Sequence, residues 1–355
     1  MNNQHELPAD RPIKIILMTH VEGDDVFPET NPKCGDLHYQ SAGLPDHGVS
    51  PAENTFEIDV TGTELMYETL QAYTDSHGNS PKLFIEPVAS FWHTEGDPKY
   101  GGKVCRKYDY LSLGCEFGIQ THNVYYVGEG YGWAYSYATP QGIWRRLVDM
   151  HGFAERAVHK GRKVNAGKAF TGGHKNASPP MDIRKAEFLI DHCTHLLGYR
   201  ISYEDFDGHW QSKPDSIDPR RACPFAYVAD YGDGVRMLKI DFNGMITQDS
   251  PRNTPRSEHP EEALARIDKT YEAQQKDNDP AHLYYFATTF HSNIFWIDHH
   301  LEKSGIPMKM EGAGLKVFMD GLQSRVQAGM RIEYITPSTL LDEYNAIQLS
   351  ERDRI

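Results

Sequence analysis

The string IKIILMTHV, residues 13–21, holds one charge, sits behind Pro12 and runs into the polar stretch Glu22-Gly23-Asp24-Asp25. A run this short and this apolar is a strand buried on both faces, and such strands occur inside sheets that helices cover. The rest of the chain repeats the theme. Apolar positions near helical spacing over 62–73 predict a helix, and PKLFIEPVASFW after it predicts a second strand. CEFGIQTHNVYYV and KVNAGKAFTGG read as further strands, with a helix over 141–160 between them. A helix over 182–197 is expected to end on Gly198, which suits a C-cap. CPFAYVADYGDGVRMLKIDFN changes the pattern to two strands around a Gly-Asp-Gly turn, a peripheral hairpin insertion within 221–246. A polar helix over 258–275, the late strand HLYYFATTFHSNIFW and a closing helix over 312–328 complete the series. This β/α alternation defines an α/β fold. No Gly/Ser-rich linker divides it, so one barrel-like domain over 12–348 is expected.

Charge narrows the class of partner. Lys and Arg total 36 against 50 Asp and Glu, a net charge of -14 that repels a phosphate backbone, so no nucleic acid is expected. No stretch reaches the roughly 18 apolar residues of a membrane span, and MNNQHELPADRP lacks the pattern of a secretory signal. The expectation is a soluble chain, cytoplasmic as given, or exported if a signal peptide has been removed. Cys34, Cys105, Cys115, Cys193 and Cys223 form no CxxC pair, which favours free thiols. The P-loop, the GxSxG elbow and GxGxxG are all missing from the sequence.

The densest chemical cluster closes the first strand. Period two sends His20 and Glu22 to the same side, with Asp24 just beyond, where an imidazole and carboxylates can share a metal or divide base and ligand roles. A solvated acidic loop beside a core histidine would give the same string. His122 stands where another strand meets a glycine-rich loop, and His174 follows two glycines that let backbone approach a sugar closely. His291 ends the apolar run YYFATTF, a placement suited to a general acid or to a structural histidine. Glu86 interrupts LFIEPV, and a carboxylate there needs a partner. Trp92 and Tyr125 belong to aromatic stretches that can stack on sugar rings or pack on themselves.

Taken in order, these pieces resemble the polysaccharide deacetylase superfamily, also described as NodB-homology or carbohydrate esterase family 4. ILMTHVEGD is similar to that family's first motif, whose first acid is the catalytic base and whose second is a metal ligand, so His20 takes the base position and Glu22 the ligand position. CEFGIQTHNV is similar to the second motif, but Gln120 and Val124 stand at the two metal-binding histidine positions, with His122 between them. AFTGGH resembles the third motif, with Thr171 in the place of its arginine. LYYFATTFHS resembles the last, so His291 inherits the role of assisting the leaving group.

The resemblance implies a distorted (β/α) barrel and a metal-dependent hydrolase that removes acetyl groups from a carbohydrate. His20, Glu22 and His291 are its expected catalytic residues, and a divalent metal, zinc by the resemblance, is expected on Glu22, Asp24 and His122. Glu86, Trp92, Tyr125 and His174 are the expected substrate contacts. Two other readings stay open: a glycoside hydrolase using Glu22 or Asp24 with Glu86, and a non-catalytic glycan-binding or assembly protein.

Overall fold

The computed structural model describes residues 11–21, 51–87, 107–120, 257–280 and 282–352, with shorter stretches at 124–126, 133–135, 158–159, 162–163, 169–171, 197–200, 225–230, 236–241 and 245–248. Its first half contains β1 (Ile13–Val21), α1 (Pro51–Leu70), β2 (Leu83–Pro87), β3 (Glu116–Phe117), β4 (Ile119–Gln120), β5 (Val124–Tyr126), β6 (Trp133–Tyr135), β7 (Val158–His159), β8 (Arg162–Lys163) and β9 (Ala169–Thr171). The second half contains β10 (Leu197–Arg200), β11 (Phe225–Asp230), β12 (Arg236–Asp241), β13 (Met245–Ile246), β14 (Ser257–Glu258), α2 (Pro260–Lys276), β15 (Leu283–His291), α3 (Ser292–Lys303), α4 (Glu311–Gln327), β16 (Ile332–Tyr334) and α5 (Pro337–Arg352).

β1 is the organising strand. All of it is buried except Lys14, which is half-buried, as its composition requires. It runs parallel to β15 along one side, from Lys14 beside Tyr285 to His20 beside His291. Its other side is shared in succession by β16, alongside Ile13 to Ile15, and β2, alongside Leu17 to Val21. Period two then sorts its side chains between two cores. Ile13, Ile15, Leu17 and Val21 join Ile85, Phe286 and Phe290 in a cluster that α1, α2 and α4 cover with Met66, Leu70, Ile267, Phe318 and Leu322. Ile16 and Met18 face the opposite way, into a cluster with Phe84, Ala226, Ile240, Tyr285 and Ala287. Ile335 and Leu340, which bracket the start of α5, fill that second cluster. This inner face is therefore plugged with apolar groups up to Met18, and the next residue on it is His20.

From β3 the sheet runs through β2, β1, β15, β11, β12, β10 and β9 to β4. Its two ends are consecutive in the chain, because only Gly118 separates β3, which pairs with β2, from β4, which pairs with β9. Among the described residues the α/β class expected from the alternation is present as a curled, half-barrel sheet that is not parallel throughout. One reason is the expected hairpin. β11 and β12 do form an antiparallel pair, but they are not peripheral: β11 also pairs antiparallel with β15, and β12 pairs with β10. Ala226 and Ile240 are buried in the inner cluster, so the pair has apolar surface that the sheet must cover.

Other expectations change in detail. The first helix begins at Pro51 and ends at Leu70, and Gly198 lies inside β10 instead of capping a helix. SNIFW leaves the last strand to open α3, where Phe295, Ile297 and Asp298 are buried. The helix after it does not close the fold, since β16 and α5 follow. Cys115 is a free, buried thiol that burial pushes up to about 11. No helix among the described residues is long and apolar enough to cross a membrane.

Candidate active site

Three parallel strands end together, and their register sets a row of titratable side chains across the carboxyl end of the sheet. His20 on β1 is the pair of His291 on β15 and of Glu86 on β2. All three fall on the face of Ile16, Met18 and Phe84, because each lies an even number of positions from an inner-cluster residue. The His20 and His291 rings meet edge to face with centroids 5.2 Å apart, and His20 Nε2 is 3.5 Å from Glu86 Oε2. His20 and Glu86 are buried, whereas 19% of the His291 side chain is exposed, so His291 is the member of the row that solvent reaches.

Glu311, in the first turn of α4, brings a fourth group. Its Oε1 lies 2.9 Å from His291 Nδ1, and its Oε2 accepts the His291 backbone N–H. This grip turns Nδ1 towards the helix and fixes ring orientation, so that any chemistry at this ring falls to Nε2. Strand and helix are tied at the same point. The Ser292 hydroxyl lies 2.9 Å from the His20 carbonyl oxygen and 2.5 Å from Asp59 Oδ1 of α1, and its single proton serves one of them at a time. A Cβ at Gly62 would stand 1.9 Å from the Ser292 carbonyl oxygen, so this glycine lets α1 approach the beginning of α3.

Asp298 holds Glu311 in place. It is fully buried on α3, and its carboxylate accepts from the backbone N–H groups of Lys309, Met310, Gly312 and Ala313. Met310, at the N-cap of α4, has no side-chain oxygen for those donors, so Asp298 supplies the cap from a neighbouring helix. Gly312 makes room for it, since a Cβ there would lie 3.0 Å from Asp298 Oδ2.

Of the residues singled out in the sequence, the fold brings together His20, Glu86 and His291. Glu22, Asp24, Trp92, His122 and His174 lie outside the described residues, and so does any approach of the first cluster to His122. Tyr125 sits in the separate β5–β6 hairpin, its backbone opposite Ala134. Glu311, Asp298, Asp59 and Ser292 were not foreseen. A glutamate at the first position of a helix is ordinarily read as a complement to the helix dipole, and only the fold shows that it reaches a histidine.

The donor set decides whether a family-like metal centre fits. By the resemblance, Gln120 and Val124 take the places of two ligating histidines; valine offers no donor and a neutral amide is a weak one, so these two residues do not fit a histidine-rich zinc site. Among the described residues no three His, Cys, Asp or Glu side chains are grouped to hold an ion.

No family model matches the sequence, and no curated protein matches it. Comparison of folds does find similar structures. A structure from Mycobacterium smegmatis, provisionally designated a polysaccharide deacetylase, superposes with a TM-score of 0.51 at 11% identity, covering 96% of this chain and 93% of that one. One from Pseudomonas aeruginosa PAO1 with the same kind of designation gives a TM-score of 0.49 at 11% identity over the same shares of the two chains. The likeness is one of fold.

Proposed function

We propose that this chain, built on a fold it shares with a designated polysaccharide deacetylase, is a divergent member of that superfamily and removes acetyl groups from a carbohydrate. The observation that carries the reading is the pairing of His20 with His291 at the carboxyl ends of adjacent parallel strands, rings 5.2 Å apart. That end of an α/β sheet is where catalytic groups converge.

Two imidazoles in this arrangement suit a two-step acyl transfer. His20 takes a proton from water as its oxygen attacks the acetyl carbonyl. The tetrahedral intermediate then expels the sugar amine or alcohol, which receives a proton from His291 Nε2. Glu311 steadies the imidazolium that His291 presents before that transfer. Trp92, Tyr125 and His174 are the proposed sugar contacts; Glu86, expected beside them, is fully buried and is not proposed as one. Zinc dependence is proposed on Glu22, Asp24 and His122, which supply the ligand types of a three-ligand site; no step above is routed through it.

The test is acetate release from N- and O-acetylated oligosaccharides. His291→Asn places an amide near the position of Nδ1, so Glu311 keeps a donor while Nε2 is lost. We expect a folded protein with turnover reduced about 10²–10⁴-fold, and a comparable loss for His20→Ala. Release of reducing sugar without acetate would overturn the reading in favour of a glycoside hydrolase. Metal analysis alongside is expected to find one divalent ion per chain, and its absence from an active enzyme would remove the zinc proposal alone.

A further inference from the structure

We propose that Glu86 is the positioning residue of His20, setting its tautomer so that the two histidines of the row work through opposite nitrogens. The inference rests on the deacetylase reading for its kinetics, but its geometry stands apart from it. Glu86 is fully buried near the carboxyl end of a strand with no exposed residue. A carboxylate so placed demands compensation from its neighbours. Register puts His20 beside it, with Nε2 3.5 Å from Oε2. This is ion-pair reach, slightly beyond a good N–H···O bond, and catalytic contacts of this kind commonly tighten once substrate is bound.

Gly118 confines the carboxylate from the far side. It follows Phe117, the register partner of Ile85, and a Cβ at Gly118 would stand 3.1 Å from Glu86 Oε1 and 2.2 Å from the Phe84 ring. Glycine here leaves space that the carboxylate and the Phe84 ring use. Glu86 is thereby held between Gly118 and His20, and the partner that register gives it within the row is the imidazole.

The chemical consequence concerns protons on nitrogen. With Nε2–H directed at Glu86, neutral His20 keeps its lone pair on Nδ1, which is then its basic nitrogen. His291 is the opposite case, since Glu311 engages Nδ1 and leaves Nε2. A base and an acid that must act on the two sides of one acetyl group are thus given fixed and complementary faces, each by its own carboxylate. Glu86 need not touch substrate to do this.

The experiment compares wild type with Glu86→Met, Glu86→Gln and Glu86→Asp in the full chain labelled with ¹⁵N-histidine. Tautomers are read from long-range ¹H–¹⁵N correlations, and kinetics are measured on p-nitrophenyl acetate and on an N-acetylglucosamine oligomer. Wild type is expected to show His20 as the Nε2–H form. Glu86→Met should melt at the same temperature or higher, show mixed His20 tautomers, and lose about 10²-fold in kcat with KM unchanged. Glu86→Gln, whose carbonyl oxygen still accepts from Nε2, should recover the tautomer and part of kcat, and Glu86→Asp should recover less because its carboxylate is withdrawn. Wild-type His20 in the Nδ1–H form, or Glu86→Met with unchanged tautomer and kcat, overturns the proposal. If wild type releases no acetate from either probe, the deacetylase reading fails by itself, and the spectra still decide the assignment of Glu86.

Discussion

Replacing Asp298 with alanine tests how far the site depends on a cap lent from one helix to the next. The carboxylate accepts from Lys309 N at 3.0 Å, Met310 N at 3.0 Å, Gly312 N at 2.9 Å and Ala313 N at 3.1 Å. An exposed cap lost to alanine costs about 1 kcal/mol, because water replaces it. Here Asp298 is fully buried, so the stranded donors carry the larger cost of about 1–3 kcal/mol each. The costs do not add in full, since the first turn of α4 can shift towards solvent, and about 4 kcal/mol is a reasonable total for four donors. At roughly 2–4 °C per kcal/mol for larger domains, the melting temperature should fall by about 8 °C or more. Glu311 lies in the same turn, so the shift that relieves the donors also withdraws the carboxylate from His291. Folded Asp298→Ala, assayed well below its melting point, should therefore, under the proposed deacetylase activity, release acetate more slowly although Asp298 touches neither histidine. Asp298→Asn keeps one oxygen acceptor and should fall between. A variant melting within about 2 °C of wild type, against the several degrees expected, would refute the idea that this carboxylate supports α4.

Two further outcomes follow from single contacts. Gly62→Ala, which in an isolated helix would gain about 0.5–1 kcal/mol, should here destabilise by about 1–3 kcal/mol because the new methyl meets the Ser292 carbonyl oxygen at 1.9 Å; a raised melting temperature would show that α1 does not approach α3 so closely. At Asp277, burial raises the carboxyl, but the Tyr284 hydroxyl, the Asp279 backbone N–H and His282 outweigh it and hold it at about 2. A depressed carboxyl contributes stability that is present above the ordinary value near 3.8 and lost as pH falls towards about 2. Solvent screening brings that contribution to about 1 kcal/mol, so Asp277→Asn should flatten the acid limb of a stability–pH curve and leave its neutral region lower by about that amount.

The two long strands were legible because their composition leaves no other choice. IKIILMTHV and LYYFATTFH are each apolar on both faces and carry a histidine at or next to their carboxyl end before polar residues, so both the burial and the chemical end of each strand can be read from the chain. Glu86 was legible as an anomaly, a charge where a strand should carry none. The short strands were not legible, because two- and three-residue pairings such as β3 and β4 are fixed by their neighbours and not by any periodicity of their own. Gly198 shows the same limit: a glycine that suits a helix end also suits a strand that runs between two others.

What no pattern in the sequence carries is partnership. Ser292 and His20 stand 272 positions apart, and their meeting depends on β15 lying beside β1 in one register. A slip of one residue would send His291 to the outer face, turn Phe286 and Phe290 inward, and put Phe290 or Ser292 beside His20. The register is held by contacts remote from the chemistry, above all the two apolar sets that period two divides between the outer and inner cores. The same dependence explains why Glu311 and Asp298 escaped notice. Each is an ordinary acid at a helix end or on a helix face, and each reaches the histidine row or its support only because α3 turns back on α4 within the span from Asp298 to Met310. The carboxylates that matter most to the two histidines therefore come from opposite kinds of signal. Glu86 breaks a strand pattern and can be suspected from sequence, while Glu311 satisfies a helix pattern and is revealed only by what it touches.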